Sequence, residues 1–195
     1  MRYGPEHNDA TRERILEAAS RLFREHGVAA VGLAKIMAEA GLTVGTFYTH
    51  FESKEALLRE ALLRALEARN ASLAEALRAG ELEPVVRAYL SPEHRDSPGS
   101  GCVVAALAPE VARHSRATRR TFTSHVEPTL DLVAECMSKR RTKAVSRADA
   151  AAFFGLLSGT LQLARATPDR AESDAILEAG VRAALRLANV DRGLR

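Results

Sequence analysis

Residues 33–51 (LAKIMAEAGLTVGTFYTHF) are the stretch of this chain whose side-chain types and spacing could do chemistry. The second half of the stretch reads as a short helix whose outward positions hold small side chains and hydrogen-bonding groups. Thr46 and Thr49 could reach DNA base edges or phosphates, while Tyr48 and His50 could donate to phosphate oxygens. Because these side chains are not bulky, such a helix could approach a DNA groove closely. The stretch therefore predicts nucleic-acid recognition.

Two short helices must position these side chains, and the sequence predicts one over residues 33–40 and one over residues 43–50. Gly41 lies between them and can take the left-handed backbone conformation of a tight turn without steric cost. Four apolar residues at inward positions would lock the pair at a steep angle: Ile36, Ala40, Leu42 and Phe47. This is the layout of a helix-turn-helix, whose second helix enters the major groove of DNA.

The rest of the chain also reads as helical, because apolar residues recur at the three- and four-residue spacing of one helix face. No run of alternating β-branched residues indicates a strand, so we expect an all-α fold. We expect a flexible N-terminal arm over 1–10, a helix-turn-helix domain over 11–53 and a helical effector-binding and dimerisation domain over 54–195. The further predicted helices cover residues 11–26, 54–79, 84–90, 102–114, 115–138, 148–166 and 173–190, with a loop over 91–101.

The composition excludes several classes of protein. Of the 195 residues, 46% are hydrophobic and 27% are charged, which is ordinary for a soluble globular chain. No apolar run approaches the roughly 18 residues of a membrane helix, and the N-terminus lacks an apolar signal core. Two cysteines, Cys102 and Cys136, cannot form a disulfide framework, so we expect free thiols in the cytoplasm.

The net charge is a weak guide to a partner. The whole chain carries +3, yet residues 1–54 hold seven Lys and Arg side chains against seven Asp and Glu side chains. The positive excess lies in the second half, where Arg119, Arg120 and residues 138–143 (SKRRTK) form basic runs. The prediction of DNA binding therefore depends on where side chains lie, not on a basic domain.

Residues 11–58 resemble the DNA-binding domain of TetR-family transcriptional regulators. The matching segments are RILEAA at 14–19, Leu22-Phe23 with Gly27, AGLT at 40–43 with Ile36, GTFYTHF at 45–51 and SKEAL at 53–57. The resemblance implies a homodimer that binds a near-palindromic operator, usually as a repressor that a small ligand releases. The expected partners are thus operator DNA, a small-molecule effector and a second copy of the chain.

The residue types and the resemblance together give nine candidate DNA contacts: Lys35, Thr43, Val44, Gly45, Thr46, Tyr48, Thr49, His50 and Lys54. Lys54 begins the next helix, where a cation beside a positive helix end favours phosphate. Three positions depart from the family pattern. Gly32 replaces a capping hydroxyl that would meet phosphate, Met37 replaces a small residue, and Val44 replaces a common cation.

The second half of the chain offers candidates for an effector site. Apolar residues on several helices could line a pocket, although the same pattern also fits plain core: Leu62, Leu66, Leu107, Val111, Phe122 and Val126. Cys102 begins a helix after the 91–101 loop, where a helix N-terminus favours the thiolate. It is therefore either a sensor of electrophiles or oxidants, or a small buried core residue.

The last two predicted helices are expected to pair with their copies in a second chain. Two apolar stripes supply the candidate dimer interface, unless they only cover the chain's own core: Phe153, Leu157, Leu161, Ala164, Ile176, Val181 and Ala184. Gly155, Gly159 and Gly180 lie inside these helices, where each costs about 1 kcal/mol relative to Ala. Close approach of helix backbones would explain them.

Other function classes find little support in the sequence. No nucleophile–base pair, carboxylate dyad or phosphate loop indicates an enzyme, and no cofactor is expected. His114, His125 and Glu127 match no metal-ligand spacing. The remaining alternative to a ligand-released repressor is a helical adaptor with weakened DNA recognition, since Gly32 and Val44 each remove a phosphate contact.

Overall fold

The computed structural model describes residues 5–78, 82–139, 141 and 143–188, without the side chains of residues 5–7, 69, 72 and 78. These residues form ten α-helices and one 3-10 turn, and no strand occurs among them, which confirms the all-α prediction. The elements are α1 (Pro5–His26), α2 (Leu33–Glu39), α3 (Val44–Phe47), α4 (Lys54–Arg78), α5 (Leu82–Tyr89), α6 (Pro92–Asp96), the 3-10 turn (Pro98–Ser100), α7 (Val103–Val111), α8 (Arg116–Ser138), α9 (Arg147–Ala166) and α10 (Arg170–Ala188).

The first helix begins earlier than the sequence predicted. Residues 5–10 belong to α1, so a flexible arm over 1–10 is wrong for that part, while residues 1–4 lie outside the described residues. Proline suits a first helical turn because its ring fixes φ and its missing N–H would have no partner there. Gly27 ends α1 at a φ of 80°, a conformation that favours glycine.

The sequence predicts a loop over 91–101, but this segment contains α6 and the 3-10 turn. The Ser91 hydroxyl accepts a 3.2 Å hydrogen bond from the His94 backbone N–H and so caps α6. The 3-10 turn follows directly and brings Gly99 against α1, where the Arg24 side chain donates a 2.7 Å hydrogen bond to the Gly99 carbonyl. This segment thus connects the first helix to the second half of the chain.

The apolar side chains form two cores. The N-terminal core joins α1 to α4 with α7 and includes Ile15, Phe23, Ile36, Phe47, Leu57, Leu62 and Leu107. The body core joins the end of α4 to α5 and α7 to α10 and includes Leu77, Val86, Phe153, Leu157, Leu161, Val181 and Ala184. Because α4 contributes to both, packing continues across the predicted boundary at residue 53. That boundary stays a prediction.

Two carboxylates from the helices around the N-terminal core fix its outer turns. Glu110 on α7 accepts hydrogen bonds of 2.8 and 3.2 Å from the backbone N–H groups of Val28 and Ala29, directly after α1. Glu55, in the first turn of α4, accepts a 2.5 Å hydrogen bond from Thr118 on α8. The chain after α1 is therefore held against α7, and the first turn of α4 is held against α8. No helix in the described ranges is both long and apolar enough to cross a membrane.

Candidate nucleic-acid interface

The turn between α2 and α3 closes α2 with a two-bond glycine cap. Gly41 has a φ of 65°, its N–H donates 3.0 Å to the Ala38 carbonyl, and the Leu42 N–H donates 2.8 Å to the Met37 carbonyl. This is the Schellman arrangement, which satisfies the last carbonyls of a helix and turns the chain sharply. The predicted glycine turn is present.

Arg14 on α1 fixes the same turn from the side, a role that the sequence analysis missed. Its guanidinium donates to the Ala40 carbonyl at 2.5 Å, and a methyl group added at Gly41 would lie 2.8 Å from Arg14 Nη2. The sequence showed only a cation on the polar face of α1. No local pattern could have paired it with a carbonyl 26 residues away.

The helix α3 is shorter than predicted, because its α-helical part ends at Phe47 and a turn continues to His50. Thr43 precedes it with an extended backbone and makes no capping hydrogen bond with its side chain. Instead, the Thr43 and Thr46 hydroxyls lie 3.1 Å apart, and Thr49 donates 2.7 Å to the Thr46 carbonyl. These local bonds hold the threonines in place on the outer side of the helix.

Most of the candidate DNA contacts lie together on one solvent-facing surface, which we call the recognition face. Phe47 beneath it is fully buried, whereas Val44 is 42% exposed and Tyr48 is 66% exposed. The Tyr48 ring meets Phe47 edge-on at 5.2 Å between centroids, which supports an otherwise exposed phenol. The recognition face consists of Thr43, Val44, Gly45, Tyr48 and Thr49, which are exposed, and Thr46 and His50, which are half-buried.

The two candidate lysines differ in their surroundings. Lys35 on α2 is exposed. Lys54 is half-buried, and its ammonium donates a 2.6 Å hydrogen bond to the Val28 carbonyl after α1. One Lys54 proton therefore braces the α1–α2 connection, and the remaining protons are left for a phosphate. Its role in DNA contact stays a prediction.

His50 is poised as a neutral group. Partial burial, and secondarily the nearby Arg12 guanidinium, hold the pKa of His50 below the ordinary histidine value. Arg12 itself lies 4.9 Å from the centre of the Phe51 ring and pairs with Glu60 on α4. At neutral pH the His50 ring therefore offers one hydrogen-bond donor and one acceptor, not a positive charge.

The N-cap of α2 is Gly32, the position where the sequence lacks the capping hydroxyl that is usual in the family. Gly32 has an extended backbone with φ −83° and ψ 158°, and α2 has no side-chain cap hydrogen bond. A methyl group added at Gly32 would meet no atom within 4 Å. The hydroxyl that could meet a phosphate at this helix end is absent, although the space for it exists.

The structure brings most of the candidate effector residues together, but in the closed interior of the N-terminal core. Leu62, Leu66, Leu107 and Val111 are at most 3% exposed, with Phe122 and Val126 packed against them. The effector site that the sequence predicted there stays a prediction.

Cys102 lies apart from these residues, in the body core, and is 3% exposed. It is the N-cap of α7, where its backbone N–H donates 2.9 Å to Nε2 of His94. His94 Nδ1 lies 2.6 Å from the Tyr89 carbonyl. Since Nε2 accepts, Nδ1 carries the proton and the imidazole is neutral in this arrangement. The Cys102 thiol is therefore buried, and its backbone N–H is bound by the neutral His94 ring.

The predicted dimer stripes need a correction. Within a single chain, six of the seven residues are at most 4% exposed and the seventh, Ile176, packs against the body core. Side chains already covered by the chain's own helices cannot be offered to a second copy. The stripes are core because α9 packs with α7, α8 and α10. The six buried residues are Phe153, Leu157, Leu161, Ala164, Val181 and Ala184.

A second stripe on the same two helices is more open to solvent. On α9 it contains the exposed Ala152, Gly155 and Leu163 with the half-buried Leu156 and Gly159, and on α10 it contains the exposed Ala175, Ala179 and Leu187. Leu163 is 63% exposed, and a methyl group added at Gly155 or Gly159 would meet nothing within 4 Å. Gly180 is different, because a methyl group there would strike Thr160 and Leu90. Of these three glycines of α9 and α10, only Gly180 lies at a close contact inside the chain.

Comparison with known proteins agrees with this geometry. Residues 15–61 match the model of the tetR family of bacterial regulatory proteins. The probable HTH-type transcriptional regulator ArpR of Pseudomonas putida is 41% identical over 86 residues, which are 44% of this chain and 40% of ArpR. Matches to the first curated relatives span less than half of those proteins.

Solved structures extend the likeness over nearly the whole chain. SCO4454, a TetR-family transcriptional regulator from Streptomyces coelicolor, is 25% identical with a TM-score of 0.71, over 93% of this chain and 97% of that one. A TetR-family regulator from Cytophaga hutchinsonii has a TM-score of 0.76 at 20% identity and covers 100% of both chains, which shows the shared fold. Residues 15–61 therefore form a domain of the tetR family of bacterial regulatory proteins within this chain.

Proposed function

We propose that this protein is a cytoplasmic, DNA-binding transcriptional regulator that acts as a ligand-released repressor. The observation that carries the proposal is the recognition face. An exposed row of small and hydrogen-bonding side chains stands on a short helix, directly after a tight glycine turn and over a buried Phe47. A protein that only needed a helical corner would have no use for an exposed tyrosine and valine there.

Operator reading by this face requires a second copy of the chain. In such dimers the two reading helices lie about 34–36 Å apart, one turn of the DNA. The exposed stripe on α9 and α10, with Leu163 and the open Gly155 and Gly159, supports pairing of these helices with their copies. Glycines without a neighbouring atom let two helix backbones approach closely.

Release by a ligand is supported by the contacts of α4 and α7. Glu55 links the first turn of α4 to Thr118, and Glu110 links α7 to the turn after α1. A ligand that shifts α7 would pull on the Glu110 link, and one that shifts α8 would pull on the Glu55 link. Either shift would change the separation of the two recognition faces. A coupling free energy of about 1–3 kcal/mol between ligand binding and DNA binding is sufficient for such a switch.

The test of DNA reading is selection from random double-stranded fragments, followed by binding measurements on the selected site. We expect a near-palindromic site and an affinity that falls steeply with salt. Tyr48→Phe removes only the hydroxyl and Tyr48→Ala removes the ring as well, so a graded loss of affinity is expected. No other tyrosine offers an exposed control, because Tyr3 lies outside the described residues and Tyr89 is buried. The control is therefore Arg116→Ala at an exposed position on α8, which should leave the DNA affinity unchanged.

A helical adaptor with weakened DNA recognition is the second candidate. Two observations favour it: α2 lacks a hydroxyl cap at Gly32, and Lys54 uses one ammonium proton on the Val28 carbonyl. If no fragment is retained at low salt while the purified protein is folded, the adaptor replaces the regulator. Sensing through Cys102 would require exposure of a buried thiol. An unchanged release by electrophiles in Cys102→Ser would remove that variant of the proposal.

A further inference from the structure

A cavity of about 620 Å³ opens between α1, the 3-10 turn, α7 and the connection from α9 to α10. None of the candidate DNA contacts or candidate effector residues lines it. Its walls combine small apolar side chains with six charged ones: Arg24, Arg95, Arg165, Arg170, Glu25 and Asp96. Four guanidinium groups against two carboxylates give this cavity a positive lining.

The two carboxylates already have cations. Asp96 receives hydrogen bonds from Arg95 at 2.8 Å and from Arg170 at 2.5 Å, and Arg95 also reaches Asp174 outside the lining at 2.5 Å. These contacts hold the pKa of Asp96 well below its usual range, so this group is ionised at neutral pH. Arg95 and Arg170 are therefore structural partners of carboxylates.

Glu25, the other carboxylate, is also committed. Its two oxygens each accept a 3.1 Å hydrogen bond from Nη1 of Arg21, one turn earlier on α1. Arg21 also pairs with Glu39, so it offsets the Glu25 charge only in part. Both carboxylates of the lining thus have an arginine partner, while the two remaining arginines form no ion pair among the described residues.

Arg24 and Arg165 are these two arginines, and among the described residues they donate hydrogen bonds to carbonyl oxygens alone. Arg24 donates from Nε to the Gly99 carbonyl at 2.7 Å. Arg165 donates from Nε to the Arg95 carbonyl at 3.1 Å and from Nη2 to the His94 carbonyl at 2.8 Å. Within the described part of the chain, neither makes an ion pair with a carboxylate.

Both guanidiniums are also partly removed from water. Burial is the main cause that lowers the pKa of Arg24 and of Arg165 below the ordinary arginine value. Arginine nevertheless stays charged in proteins, so two partly desolvated positive charges face one cavity. Neither forms an ion pair within the described residues, and the Coulomb attraction of Glu25 offsets the burial of Arg24 only in part. An anion that entered would regain for them the electrostatic stabilisation that burial removed.

We propose that this cavity binds a small anion through a carboxylate or phosphate group held by Arg24 and Arg165. Planar guanidiniums with unused Nη groups match the geometry of either oxyanion. The alanine and proline walls leave room for a short apolar part of the same molecule. The site joins α1 of the DNA-binding part to α9 of the body, so its occupant is placed to act as an effector. That last step rests on the proposed function, whereas the binding itself does not.

The binding test uses the full-length, DNA-free protein with inorganic phosphate and citrate as separate probes at constant ionic strength, against chloride. Calorimetry and the unfolding temperature measure binding and its saturation. We expect saturable binding of one probe at one site per chain. A phosphate preference indicates a phosphorylated ligand, and a citrate preference indicates a carboxylate. An equal, unsaturable effect of phosphate, citrate and chloride would overturn the site.

Variants place the anion in this cavity. Arg165→Gln should weaken binding by about ten-fold or more, since a charged hydrogen-bonding partner is lost. Arg119→Gln removes the same charge from an exposed position outside the cavity and should leave binding unchanged. Equal binding by both variants would overturn the assignment.

A second pair protects the test against misfolding of Arg165→Gln, because that change also removes donors to two carbonyls. Ala166 is exposed and lines the cavity, and its methyl side chain makes no hydrogen bond that a substitution could remove. Ala166→Glu adds a negative charge beside the guanidiniums, and Ala166→Gln adds the same volume without charge. We expect Ala166→Glu to weaken the anion about ten-fold relative to Ala166→Gln. Identical affinities in the two would contradict an electrostatic site.

The effector role is read separately, on the selected DNA fragment. An anion concentration that half-saturates the wild type should change its DNA affinity, and it should change the DNA affinity of Ala166→Glu much less. If anion binding persists but DNA affinity does not change, the site stands and its effector role is wrong. If no DNA is bound at all, the proposed function fails while the calorimetric result still decides the site.

Discussion

The Thr118 hydroxyl donates a 2.5 Å hydrogen bond to Oε1 of Glu55, and this contact joins the start of α8 to the start of α4. Thr118 is fully buried, and the other carboxylate oxygen lies 2.9 Å from Nδ1 of His114. The Thr118 hydrogen bond is the main cause that lowers the pKa of Glu55 to about 2. The helix that follows the recognition face is thereby anchored to the body through one carboxylate.

This carboxylate predicts how stability changes with pH. Because the folded pKa of Glu55 lies below its ordinary value of 4.5, its stabilisation is complete above pH 4.5 and is lost as pH falls toward 2. Thr118→Val should lower the free energy of unfolding by about 1–2 kcal/mol at pH 7 and reduce the further loss in acid. Urea unfolding at pH 7, 4.5 and 2 measures both effects. The exposed Thr123→Val on α8 is the control, and an identical acid loss in both variants would contradict the prediction.

The two glycines around the turn should respond in opposite ways to alanine. Gly41→Ala places a methyl group at a φ of 65° and 2.8 Å from Arg14, so we expect a loss of about 1–2 kcal/mol in unfolding free energy. Gly45→Ala meets no atom nearer than 3.9 Å and should leave stability unchanged or slightly higher. Its added methyl group should instead reduce DNA affinity on the selected fragment. Thermal unfolding and a binding titration of both variants test the pair. Equal DNA affinity of Gly45→Ala and wild type would place this glycine outside the groove.

Restoring a hydroxyl at the start of α2 should strengthen the protein. Gly32→Ser fits the extended backbone and the open space at this position, and its hydroxyl can accept an N–H of the first turn. We expect a gain of about a few tenths of a kcal/mol in unfolding free energy, together with tighter DNA binding. Gly32→Ala adds the same carbon without the hydroxyl and should be less stable than wild type. A serine variant that behaves like the alanine variant would show that no cap forms.

The two faces of α9 should separate folding from pairing. Leu163→Glu charges the solvent-facing stripe and should raise the dimer dissociation constant by about ten-fold or more with little change in helix content. Leu157→Ala empties a core position and should cost about 2–5 kcal/mol of folding stability instead. Sedimentation equilibrium and denaturation distinguish the two results. Ala117→Glu, exposed on α8, is the matched control, and a strictly monomeric wild type would sink the proposed dimer.

The sequence by itself determined the local features of the recognition face and of the turn before it. Gly41 flanked by apolar residues predicts the turn, because few other residues adopt positive φ without strain. The order of small and polar side chains after Thr43 predicts one exposed side of a short helix, because helical spacing assigns residues to faces. These inferences succeeded because their causes lie within a few residues of one another.

Only the tertiary structure decided which charges and faces are already occupied. Helical periodicity identified an apolar stripe at Phe153 and Leu157, yet the free face carries Leu163, because whether a stripe is covered depends on helices distant in sequence. Likewise, nothing local distinguishes Arg21, which pairs with Glu25 and Glu39, from Arg24, whose hydrogen bond within the described residues goes to the Gly99 carbonyl. Spacing along the chain reports faces, whereas partners come from the packing of the whole chain.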